Sequence, residues 1–174
     1  NKKLREKNLN IGLKIRIPYY SVENDCYKSK KGIIKKKNKN ISKATYKPIF
    51  SMPTRGKIIE TFGIKEGGRR NDGINILAPK GNPVRAALKG KVIYKGNEIP
   101  SWGNLIIIKH AKGWSTLYAH LDKFIINSGE IVNTGDVIGS VGATGNVESH
   151  QLHFQVRKNA KPLDPELYIK KNQY

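Results

Sequence analysis

Gly90-Lys91-Val92-Ile93-Tyr94-Lys95-Gly96 and Gly103-Asn104-Leu105-Ile106-Ile107-Ile108-Lys109-His110 are two runs of β-forming residues closed by glycine. Their reading decides the fold, because runs this short, rich in β-branched and aromatic residues and bounded by turn formers, are strands. The pattern repeats outward from them. Lys57-Ile58-Ile59-Glu60-Thr61-Phe62 precedes a Gly67-Gly68 break, and Trp114 to Leu121, Glu130 to Val132, Val137 to Val141 and Leu152 to Arg157 follow. Between them lie Asn127-Ser128-Gly129, Asn133-Thr134-Gly135-Asp136 and the Gly142 to Asn146 stretch, all turn chemistry. No segment of useful length carries the helical period. The expectation is an all-β fold, a sandwich or barrel of short strands.

The chain has 174 residues, enough for one sizeable core and a polar extension. Its longest aliphatic run, Leu105 to Ile108, falls far short of the roughly 20 apolar residues that cross a bilayer as a helix. Cys26 is the only cysteine, so no internal disulfide forms. The first residues lead into no apolar signal core. Asn1 is not a natural start, and the expectation is a longer precursor with room upstream for an export signal or an outer-membrane anchor. Of the net charge of +20, residues 1–46 hold fourteen Lys/Arg against Glu6, Glu23 and Asp25. Such an excess suits anionic partners, and a coding bias toward Lys, Asn and Ile produces the same composition.

Four segments follow. In residues 1–18, Leu13, Ile15 and Ile17 alternate before Pro18, a short strand that resembles the closing strand of a LysM peptidoglycan-binding module. Residues 19–47 are rich in Lys, Asn and Ser around Lys35-Lys36-Lys37, which marks a flexible basic linker. Only Tyr27 and Tyr46 flank that run, too few aromatics for a stacking arm, so no nucleic-acid partner is expected. Residues 48–170 form the β-domain and 171–174 a tail.

Within the β-domain, ordered blocks match a known family: Gly73-Ile74-Asn75-Ile76, Ala78-Pro79-Lys80-Gly81-Asn82-Pro83-Val84, Gly103-Asn104-Leu105, Thr116-Leu117-Tyr118-Ala119-His120-Leu121, Gly142-Ala143-Thr144-Gly145 and Leu152-His153-Phe154. Lys161-Pro162-Leu163-Asp164-Pro165 also fits. Residues 53–168 thereby resemble the LytM or lysostaphin-type zinc endopeptidase domain. The resemblance implies a two-layered antiparallel β-sandwich-like fold with a groove across one sheet. In active members an H-x-x-x-D pair and the second histidine of H-x-H hold zinc, while two further histidines serve the water and the transition state. Those positions correspond here to Asn71, Asn75, His153, Gln151 and His120. His120 alternatively persists through packing with Tyr118, and His153 as a hydrogen-bonding residue.

A zinc that hydrolyses needs three protein ligands, normally imidazole or carboxylate, and an open water position. Only His153 remains, so neither zinc nor any catalytic residue is expected. His150 offers no substitute, because an odd step of three in a strand points it away from the face of His153. Asp72 is out of phase with both Asn71 and Asn75. His110 reads as a surface or strand-end histidine, and Trp102 and Trp114 as core or rim aromatics.

Gly56 to Phe62 with Glu66-Gly67-Gly68, and Gly103 to His110, are most similar to NlpD-type domains. Those domains, with the EnvC type, are degenerate LytM proteins that activate periplasmic N-acetylmuramyl-L-alanine amidases in septal splitting and cell separation. The resemblance implies a monomeric, envelope-located activator with peptidoglycan as a further partner, whose groove, lined by Asn71, Asn75, Tyr118, His120, Gln151 and His153, receives the amidase. A zinc endopeptidase with residual activity and a plain peptidoglycan-binding module are the alternatives.

Overall fold

The computed structural model describes residues 47–170. The segments 1–18 and 171–174, and all but Lys47 of the 19–47 segment, lie outside the described residues. The strands are β1 (Lys57–Glu60), β2 (Gly63–Ile64), β3 (Arg70–Asn71), β4 (Ile74–Leu77), β5 (Pro83–Arg85), β6 (Gly90–Gly96), β7 (Asn104–Lys109), β8 (Trp114–Phe124), β9 (Ile131–Val132), β10 (Val137–Val141), β11 (Gln151–Lys158) and β12 (Lys161–Leu163). Among the described residues the only helical turns are three-residue 3₁₀ segments.

The antiparallel order β1-β4-β11-β8-β7-β6-β9 forms the main layer. The second layer is hydrogen-bonded to the first rather than separate. Along β8, residues 114–119 pair with β11, whereas Leu121 to Phe124 pair with β10, which in turn pairs with β5. This long strand therefore carries the sheet round into a ten-stranded whole. Period-two alternation then decides which residues meet. Ile74, Ile76, Ile106, Ile108, Tyr118, Leu152, Phe154 and Val156 pack with Val84, Ala86, Ile138 and Val141 of the second layer in the main core. The opposite face of the main layer holds a smaller cluster, Leu105, Ile107, Leu117 and Ala119, covered by Ile93, Tyr94, Ile99 and Trp102.

His110 stands at the end of β7, one of the two positions its sequence context suggests, but not at the surface. It is buried in the core, with Nδ1 at 2.9 Å from Lys89 O and Nε2 at 2.9 Å from Thr116 Oγ1. The Lys89 carbonyl only accepts, so the neutral ring carries its proton on Nδ1 and Nε2 accepts from the Thr116 hydroxyl. Burial holds the ring below the ordinary imidazole range.

The two ends of the domain are joined. Phe50 N donates to Tyr168 O at 2.8 Å and Lys170 N to Phe50 O at 2.9 Å, a parallel bridge between Phe50 and Ile169. Phe50 is fully buried, with its ring tilted against Trp114.

Candidate functional site

β3 ends at Asn71, whose Oδ1 accepts from Gly73 N at 3.2 Å to make a tight turn into β4. A side chain at Gly73 would strike Phe154 O at 2.2 Å, so only glycine lets this turn lie against β11. The turn delivers Asn75 directly opposite His153 in the β4–β11 register. Asn71 Nδ2 is 3.4 Å from Asn75 Oδ1, and His153 Nδ1 is 2.6 Å from the same oxygen. Three of the expected positions thus converge on one amide oxygen.

The bonds continue as a chain of fixed polarity. Arg157 Nε donates to Gln155 Oε1 at 2.8 Å, and Gln155 Nε2 donates to His153 Nε2 at 2.8 Å. His153 Nδ1–H donates to Asn75 Oδ1, and Asn75 Nδ2 donates to Glu60 Oε2 at 3.2 Å. Arg69 closes the far end by pairing with the Glu60 carboxylate. Burial, with the nearby His120 next, pushes His153 down to about 4 against a smaller opposing pull from Asp72. The ring is neutral at pH 7, and its one lone pair is already used.

His120 reaches the same face by a bulge. Two residues of β7, Asn104 and Ile106, span Leu121 to Tyr118 on β8, so β8 carries an extra residue there. His120 absorbs it with φ of 63°, a left-handed conformation that histidine tolerates better than most residues. Strict alternation would send His120 into the core beside Tyr118; the bulge turns it outward instead. Its N donates to Trp102 O at 3.0 Å, and its Nδ1–H donates to Thr144 O at 2.8 Å. The ring centroid comes to 6.1 Å from that of His153. Gly103 sits at φ 58° with Thr144 C at 2.4 Å from where a Cβ would lie, which is how the 99–103 and 142–146 loops meet beside this ring.

Gln151 shares the face of His153 two residues away. It is buried, and its Oε1 has no hydrogen-bond partner. Tyr118 does not belong to this face. It is fully buried in the main core against Phe154, and its hydroxyl accepts from Ala87 N at 2.9 Å. Its place in the sequence motif suggests the groove, but the bulge separates it from His120. Burial raises its hydroxyl to about 12. His150 lies before β11 and is exposed.

Four further residues join the site. Gln155 and Arg157 follow His153 at steps of two, so strand periodicity alone places them on its face. Glu60 arrives from edge strand β1, and Trp102 sets its ring edge-on to His153 with centroids 5.6 Å apart. Neither of these has a local signal in the sequence.

Among the described residues no three His, Cys, Asp or Glu side chains form a metal-binding group. The donors at the converging point are one imidazole and two neutral amides, one amide oxygen being taken by Gly73 N. That set does not fit a hydrolytic zinc, which draws on anionic or imidazole ligands.

A family model described as Peptidase family M23 matches residues 69–165. The chain belongs to this family. M23 membership accounts for the ordered sequence blocks. Cell division protein DipM of Caulobacter vibrioides is 46% identical over 132 residues, covering 72% of this chain and 22% of DipM. Murein hydrolase activator NlpD of Escherichia coli is 43% identical over 117 residues, covering 67% of this chain and 30% of NlpD. The chain therefore spans less than a third of either relative. Among solved structures, the catalytic domain of a point mutant of the prophage-encoded M23 protein EnpA from Enterococcus faecalis superposes with a TM-score of 0.61 at 27% identity, covering 70% of this chain and 96% of that one.

Proposed function

We propose that this M23 domain is a non-catalytic activator of a cell-wall amidase of the N-acetylmuramyl-L-alanine type, acting in the envelope where murein lies. The observation that carries the reading is the occupied lone pair of His153. Without a metal to acidify it, water keeps its bulk pKa and no nucleophile forms at neutral pH. The name of the NlpD relative supports the activator role, and that of DipM a setting in cell division.

In this reading the face formed by Asn71, Asn75, His120, Gln151 and His153 receives a segment of the amidase. A groove that binds only the open amidase shifts its population toward activity, by as much as the difference in affinity for the two states allows. The segment is an inhibitory helix drawn from the amidase's own active site. The test mixes the purified chain with its cognate amidase and dye-labelled peptidoglycan. Dye release should rise above that of the amidase alone, and the chain alone should release none. No rise in the mixture sinks the proposal.

A further inference from the structure

One rung of the main sheet carries cations on the same face as His153. Register sets Lys91 opposite Lys109, Lys109 opposite Ser115, and Ser115 opposite Arg157. Directly opposed residues of antiparallel strands share a face. The neighbouring rung holds Ile107, Leu117 and Gln155, two of which belong to the smaller apolar cluster. With strands about 4.8 Å apart, the two lysines start about 5 Å from each other, and Arg157 lies about 10 Å beyond Lys109.

Like charges set opposite each other in a ladder repel, and among the described residues no ion pair offsets this one. Among the described residues, the ion pairs are Arg69–Glu60, Arg70–Asp72 and Lys80–Asp122, and none involves this rung. The Asp72 charge acts on Arg157 at one end. At the other end Ile131, opposite Lys91, is 71% exposed. The rung is continuous with the proposed groove, because Arg157 donates to Gln155 and Gln155 to His153.

We propose that the Lys91–Lys109 row docks an acidic stretch of the protein partner, with carboxylates over the lysines and an apolar residue over Ile131. The proposal rests on the groove reading above and adds the chemistry of what enters it. The exposed aliphatic side chain beside the cations favours an amphipathic polypeptide over a glycan.

The test compares the full chain with two double variants, Lys91→Glu/Lys109→Glu and Lys91→Arg/Lys109→Arg. Both sites stand outside the His153 hydrogen-bond chain. Affinity for the cognate amidase is measured at about 50 mM and about 300 mM salt, where screening lengths differ more than twofold. The Glu pair should bind at least about tenfold more weakly at low salt and approach wild type at high salt, while the Arg pair binds like wild type. Equal affinity of wild type and the Glu pair at both salts, with amidase activation intact, removes the row and leaves the groove reading standing. A wild-type chain that does not bind the amidase removes both. Loss of co-sedimentation with insoluble peptidoglycan by the Glu pair, with amidase binding unchanged, assigns the row to a glycan and overturns the proposal. Weakened binding by the Arg pair as well also overturns it, since charge is then not what is read.

Discussion

His153 Nδ1 stands 2.6 Å from Asn75 Oδ1, an oxygen that only accepts, so the ring proton is fixed on Nδ1 and the lone pair faces Gln155. A residue that would otherwise offer a lone pair toward Asn71 and Asn75 instead points a proton at them.

This arrangement makes stability depend on pH. The folded ring titrates at about 4, below its ordinary value of 6.5, so between those values the unfolded chain binds more protons than the folded one. Stability should therefore be full above about pH 6.5 and fall as pH drops toward 4, by roughly 3 kcal/mol if His153 acts alone. His110 and His120, also lowered by burial, act in the same direction. Urea unfolding at pH 7 and pH 4.5 measures this, and a His153→Gln variant should flatten the dependence. A wild-type profile level across the window contradicts the buried neutral ring.

Asn71→His with Asn75→Asp should create a zinc site of three ligands with His153. The proton must then move from Nδ1 to Nε2, and Gln155 must turn its amide to accept it, giving up its bond from Arg157 Nε. Metal analysis of chelator-free protein should give about one zinc per double-mutant chain. A metal-free double mutant shows that these three side chains do not stand where an M23 metal would.

Gln151→Met keeps the length of the side chain and removes the orphaned Oε1. The variant should gain about 1 kcal/mol in urea unfolding, since a buried unpaired acceptor costs more than an apolar group of like shape. An unchanged or lowered midpoint shows that the amide finds a donor inside the fold.

At the bulge, His120→Ala and His120→Gly both lose the bond to Thr144 O, but only glycine relieves the left-handed backbone. The alanine variant should be less stable than the glycine variant by about 1 kcal/mol, the reverse of their usual order in a strand. Equal midpoints, or alanine ahead, argue against a positive φ at this position.

β1 and β6 to β11 are legible in sequence as runs of β-formers closed by turn residues, even the two-residue β9, which turn chemistry brackets on both sides. β2, β3, β5 and β12 are not, since they are too short to hold a period of their own and pairing across the fold makes them strands. β4 stands out only as a motif block. At the site, Asn71, Asn75, His120, Gln151 and His153 are found through resemblance. Gln155 and Arg157 are open to the alternation rule applied onward from His153. Tyr118 lies on the face opposite to the one its motif suggests, because neighbours in a motif lose their alternation at a bulge, and no local pattern announces one. His110 looks superficial from its place at a strand end, whereas its burial depends on Lys89 and Thr116, brought to it by folding.

The parallel bridge of Phe50 to Ile169 has a mechanical side. Pulling the domain by its two ends loads that bridge first, and the pair of backbone hydrogen bonds must yield before any strand of the main layer feels tension. A chain strung between two anchorage points would thus meet its first resistance at a latch packed on Trp114 and Tyr168, and not among the side chains gathered around His153.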